Sequence, residues 1–160
     1  MTRIEFEQLR GLALAASRIT ERLDVPSEAG HPFEQRGISG VFPLKVQALF
    51  DDGHYAEAVL TALKYLDKYI QRHSGSTQIG KALMMDAFKE ASPLLKIGDT
   101  STETGRNQQE GFKFLCAGSV LFARNPRAHE VEMPDSPDDC LNYLGIVATL
   151  IKELIKNGYK

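Results

Sequence analysis

The sequence predicts an all-α protein built as a helical bundle. Apolar residues recur at helical spacing along almost the whole chain, no run alternates with the period of a strand, and the breaks fall at Gly, Pro and Ser/Asp clusters. At 160 residues the chain is long enough to bury a core without staples, and residues 1–160 read as one domain.

The elements follow in order. From about Thr2 to Leu23, Ile4, Leu9, Leu12, Ala16, Ile19 and Leu23 share one stripe, and Pro26 and the stretch to Gly40 end it. Pro43 marks the first turn of a short helix carrying Val46, Leu49 and Phe50. Asp52-Gly53 breaks that helix and opens the best-patterned one, His54 to about His73. After a turn at 74–77, a shorter helix runs from about Gly80 to Ala91. A polar, mobile loop is expected from Ser92 to Arg106, then a helix from about Asn107 to Phe122. Ser136-Pro137-Asp138-Asp139 is a strong helix start, with a capping hydroxyl, a first-turn proline and two carboxylates at the positive end of the dipole. That last helix reaches about Lys156, and Asn157-Gly158 stops it.

Composition narrows the function classes. The charged fraction of 25% and hydrophobic fraction of 42% are those of a globular chain. The longest strongly apolar stretch, Leu144 to Ile151, is far too short to span a bilayer, and acids at Glu5 and Glu7 interrupt any signal-peptide core. The expectation is a cytoplasmic protein with no membrane partner. Cys116 and Cys140 lie on apolar helical positions without C-x-x-C spacing, so both read as buried thiols. No histidine pair has metal-ligand spacing, and no cofactor or metal is expected. Asp135, Asp138 and Asp139 read as helix-start chemistry. His54 and Tyr55 read as helix-end or packing residues, His31 and His73 as surface or capping residues, and Tyr65 and Tyr69 as core. The net charge of −2 is uneven: residues 64–129 carry ten bases and six acids, between two flanks of −3 each. That is a mild basic centre and no nucleic-acid signature by itself.

Arg124-Asn125-Pro126-Arg127-Ala128-His129 joins two predicted helices, and Pro126 is expected to turn the chain there, leaving the segment exposed. A guanidinium fork clamps a phosphate through two hydrogen bonds, and an imidazole exchanges protons near neutrality. Arg127 lies between the two key positions and need not face the same point. A chain with four histidines meets an Arg-to-His spacing of this kind about once by chance, so the spacing alone is weak. A purely structural alternative is concrete: Arg124 caps its helix and His129 bonds a neighbouring loop.

The segment resembles the catalytic motif of HEPN ribonucleases, an Arg, commonly followed by a polar residue, with a His after four to six intervening positions. Over about residues 31–155 the chain is also similar to the Ymh family of prokaryotic HEPN-like proteins. That likeness rests on His31-Pro32, Ala48-Leu49-Phe50-Asp51-Asp52-Gly53-His54-Tyr55-Ala56-Glu57-Ala58-Val59, Gly80-Lys81-Ala82-Leu83-Met84, Gln109-Glu110-Gly111 and the Arg-Asn-Pro-x-Ala-His stretch, with residues 1–30 outside its clear part. The resemblance implies a HEPN-like helical bundle, a homodimer, and a site where two motifs meet. It implies metal-independent endoribonuclease activity in a toxin or phage-defence effector. RNA would be the substrate, with an antitoxin or defence-system partner. In that reading Arg124, Asn125 and His129 are the catalytic residues. His129 exchanges the proton, Arg124 binds and stabilises the phosphate, and Asn125 orients the site. Some HEPN domains do not cleave RNA, so the alternative is a non-catalytic helical dimer that binds RNA, a nucleotide or a partner protein.

Overall fold

The computed structural model describes residues 30–130 and 133–160, and the helix expected from Thr2 to Leu23 lies outside them. In chain order the elements are α1 (Pro32–Gln35), α2 (Leu44–Asp51), α3 (Tyr55–Ser74), α4 (Gly80–Ala87), α5 (Glu103–Ser119), a π turn (Val120–Arg124), α6 (Asn125–His129) and α7 (Pro137–Lys156). There is no strand among the described residues, as the helical periodicity predicts.

The best-patterned stretch of the sequence forms the axle of the bundle. α3 buries Val59, Ala62, Leu63, Leu66 and Ile70 and packs against α2, α4, the π turn, α6 and α7. Each of the larger of these side chains contributes about 1.5–3 kcal/mol on leaving water. α7 lies along it, burying Leu144, Val147, Ile151 and Leu154. Its start is a full capping box: the Asp139 N–H donates to Ser136 Oγ at 3.1 Å, and the Ser136 N–H donates to Asp139 Oδ2 at 3.2 Å. Cys116 and Cys140 are buried free thiols; burial pushes both up, Cys140 to about 12.

Three stretches differ from the sequence reading. α4 ends at Ala87 rather than near Ala91, where Phe88 drops into the core. The loop after it is anchored rather than mobile. Leu95 and Ile97 are buried, and the buried Gln109 amide accepts from the Ile97 N–H at 2.6 Å and donates to the Leu95 carbonyl at 2.9 Å. A buried backbone must find such partners, and Gln109 supplies both. α5 begins at Glu103, ahead of the expected Asn107, because the Thr102 hydroxyl accepts from the Gly105 N–H at 3.0 Å.

The C-terminal end clasps the same loop. The Lys96 N–H donates to Tyr159 Oη at 2.7 Å, the Gly98 N–H to Asn157 Oδ1 at 2.8 Å, and Tyr69 Oη to the Tyr159 carbonyl. His73 packs between the rings of Tyr69 and Tyr159, with centroids 4.8 and 5.8 Å away, rather than serving as a surface or cap residue.

The largest departure is at Arg124–His129. These residues are helical, not a turn. Pro126 has no N–H and would crowd the carbonyl four residues earlier in a regular helix. The chain accommodates it by inserting the π turn, whose closing bond runs from the Asn125 N–H to the Val120 carbonyl. The wider turn lets helix α5 flow into α6 with Pro126 near its start, where a missing donor costs least.

Candidate functional site

The π turn and α6 place each polar side chain of the motif differently. Arg124 ends the π turn and points back toward α3, where its Nε lies 3.7 Å from Asp67 Oδ2. Its side chain keeps 20% exposure, although Nε itself is sealed from solvent. Asn125 is half-buried and His129 exposed, and neither side chain has a hydrogen-bond partner among the described residues. Four residues apart on α6, Asn125 and His129 share a helix face. Arg124 and His129, five apart, leave a helix of about 100° per residue roughly 140° from each other. One copy therefore brings Asn125 and His129 together, with Arg124 on an adjoining face.

Arg127 is committed elsewhere. It is buried, at 7% exposure, and its Nε and Nη2 donate to the two carboxylate oxygens of Asp135 at 2.6 and 2.7 Å. Its Nη1 donates to the Ala123 carbonyl at 2.8 Å, and the guanidinium lies over the Tyr143 ring at 4.1 Å. This bidentate clamp fixes α6 against the start of α7. Asp135 is thus an ion-pair partner and not helix-start chemistry, and the segment is not the open turn the proline suggested.

Asp67 is the residue that the sequence reading missed. It sits at 5% exposure among the buried Leu63, Leu66 and Ile70 of α3. Its Oδ2 accepts from the Gly80 N–H at 3.2 Å, and its Oδ1 is buried without a partner. Burial pushes its pKa up, while the Gly80 N–H and the Arg124 and Lys68 charges pull it back only partly. The signal was present: a carboxylate on the apolar stripe of an amphipathic helix calls for a partner.

Two concavities flank the motif. One, of about 360 Å³, opens at the start of α3 between His54, Tyr55, Glu57, Arg127 and Glu130. The other is an apolar groove of about 260 Å³ between α5, the π turn and α7, lined by Phe114, Leu115, Gly118, Phe122, Tyr143 and Ile146. Phe114, Leu115, Leu121, Phe122 and Ile146 are all exposed by 47–70%. No group of three or more His, Cys, Asp or Glu among the described residues is arranged to hold a metal ion. No described helix is long and apolar enough to cross a membrane.

A family model described as "Protein of unknown function (Hypoth_ymh)" matches residues 42–154, which span α2 to α7 and contain the whole Arg124–His129 segment. The chain belongs to the Hypoth_Ymh family. Among curated proteins and among solved structures, no significant match is found. The Hypoth_Ymh match takes in the central helix, the Gly80 contact to Asp67, the Gln109 anchor and the motif, so the site lies wholly inside the shared region. Residues 1–41 precede it.

Proposed function

We propose that this Hypoth_Ymh chain is a metal-independent endoribonuclease of the HEPN type, working as a homodimer in a toxin or phage-defence role. The observation that carries the reading is the contrast within one short helix. Arg127 is consumed by a two-point ion pair, whereas Arg124, Asn125 and His129 are left without hydrogen bonds among the described residues. Three polar side chains free of hydrogen bonds, one of them loosely ion-paired to Asp67, are what a reaction centre needs.

The chemistry is an internal transesterification. A 2′-hydroxyl oxygen attacks the adjacent phosphorus, and the bond to the 5′-oxygen breaks, leaving a 2′,3′-cyclic phosphate and a 5′-hydroxyl. One imidazole takes the 2′-hydroxyl proton, and another gives a proton to the departing 5′-oxygen. The Arg124 guanidinium stabilises the charge on the non-bridging oxygens, and Asn125 orients the phosphate beside His129. The two protons call for two histidines, and α6 carries one. A second copy supplies the other. The exposed apolar groove beside the π turn supports that pairing, because its knobs (Phe114, Phe122) and its small-residue floor (Gly118, Ala123) lie on one surface, as an isologous contact requires.

The test is incubation of purified protein with mixed single-stranded RNA, with and without EDTA. Cleavage that survives the chelator, yields cyclic-phosphate ends and falls about 10²-fold or more in His129→Ala supports the reading. Arg124→Ala should cost comparably, and Arg124→Lys should restore little, since an ammonium lacks the planar fork. Equal residual cleavage by wild type and His129→Ala would leave a non-catalytic dimer that binds RNA, a nucleotide or a partner protein.

A further inference from the structure

The two arginines of α6 and its junction differ in how their carboxylates hold them. Arg127 and Asp135 meet at 2.6 and 2.7 Å, with every polar atom of the pair's contact edge bonded. Arg124 and Asp67 stop at 3.7 Å, beyond hydrogen-bond range, and both Arg124 Nε and Asp67 Oδ1 are buried and unbonded. Buried polar atoms almost always find partners, so an unbonded Nε standing 3.7 Å from Oδ2 of a carboxylate whose Oδ1 is also unbonded needs a reason.

Three features explain it. Asp67 is fixed from the other side, because its Oδ2 already accepts the Gly80 N–H at the start of α4. Gly80 holds φ +60, so α4 begins with a backbone conformation that presents this N–H to α3 and that L side chains rarely adopt. Arg124 is placed by the last residue of the π turn, so its approach angle is set by a widened turn and not by the carboxylate. A shift of the guanidinium by under about 1 Å would make the Nε bond, and catalytic hydrogen bonds are often long before substrate binds.

We infer that Asp67 is the positioning residue of Arg124, holding its Nε edge so that the Nη edge faces the phosphate, and that the chain Gly80 N–H, Asp67, Arg124 tightens when an oxyanion engages the fork. This rests on the ribonuclease reading for the identity of the oxyanion, and on the buried pair alone for the positioning.

The experiment is a double-mutant cycle with a spectroscopic arm. Asp67→Asn keeps an acceptor for the Gly80 N–H and removes the charge that faces Arg124. In the Arg124 background it should lower kcat on single-stranded RNA about tenfold with little change in KM, and in an Arg124→Ala background by under about twofold. Asp67→Glu, which restores the charge on a longer arm, should recover part of the loss. Equal losses in the two backgrounds would overturn the positioning role, because a residue that merely supports the fold acts whether or not Arg124 is present. The NMR signal of Arg124 Nε–H, titrated with inorganic phosphate, should shift and become protected from exchange in wild type but not in Asp67→Asn. An Nε–H indifferent to Asp67→Asn would likewise overturn the inference. If wild type cleaves no RNA, the ribonuclease reading fails, while the Nε–H response to phosphate still decides the positioning.

Discussion

Arg127 holds α6 against the start of α7 through a two-point ion pair to Asp135. Its place between Arg124 and His129 predicts only a side chain that need not face the site. The structure gives it the strongest ion pair at the junction, with side-chain exposures of 2% for Arg127 and 8% for Asp135. Arg127→Ala strands a buried carboxylate, and the expected loss is about 3–5 kcal/mol in urea unfolding. Any fall in activity of that variant then reports on folding, so it cannot serve as a neutral control. Asp67 behaves in the opposite sense. Its pKa is raised on folding, so its ionised form is disfavoured in the native state and native stability drains away as pH rises from the unfolded value near 3.8 through the raised native one. Asp67→Asn removes that liability. Relative to wild type the variant should gain stability at pH 7, and the gap should close toward pH 4; a gap that widens on acidification would contradict the burial account. The motif's three polar residues can be singled out as candidates in the sequence because their types and order are local. Asp67 stands out in the sequence only as a carboxylate on an apolar stripe; its partners Gly80 and Arg124 are 13 and 57 positions away, and only the packed bundle brings them together.

At the scale of elements, amphipathic period and caps fixed most boundaries. α3 and α7 begin and end within a residue or so of their expected limits because each carries a continuous apolar stripe, and α7 also carries its capping box. The misplaced boundaries have local causes. Thr102 was unrecognised as a cap, and Leu95 and Ile97 were too few to show a period, although they anchor the loop. Pro126 was read as a break when a π turn makes it a helix position. The start of α5 offers a sharp check. A Cβ built on Gly105 would stand 1.8 Å from the Asp99 carbonyl oxygen, which is backbone and cannot swing aside. Gly105→Ala should therefore lower the melting temperature by several degrees, whereas the same change at Gly111, where a Cβ would meet nothing within 4 Å, should hold or raise it.

At the scale of the molecule, the described residues of α5, the π turn and α7 expose an apolar face. Phe122 at 70% exposure, Leu115 at 61% and Phe114 at 55% are large apolar groups that a solitary small domain has no use for on its surface. Homodimers should form at micromolar concentration by light scattering, and Phe122→Glu should give monomers with an unchanged far-UV circular dichroism spectrum, since this ring stands outside the core. A wild-type monomer would remove the second histidine from the proposed reaction. The clasp just after α7 carries a different consequence. Its bonds join residues 59 to 90 positions apart, Lys96 and Gly98 to the residues after α7 and Tyr69 to Tyr159, so they close long loops of the chain. Contacts of that span are formed late, after the local helices have condensed. Tyr159→Phe should therefore leave the refolding rate nearly untouched and speed unfolding instead, so that the clasp governs how long the native state lasts rather than how fast it is reached.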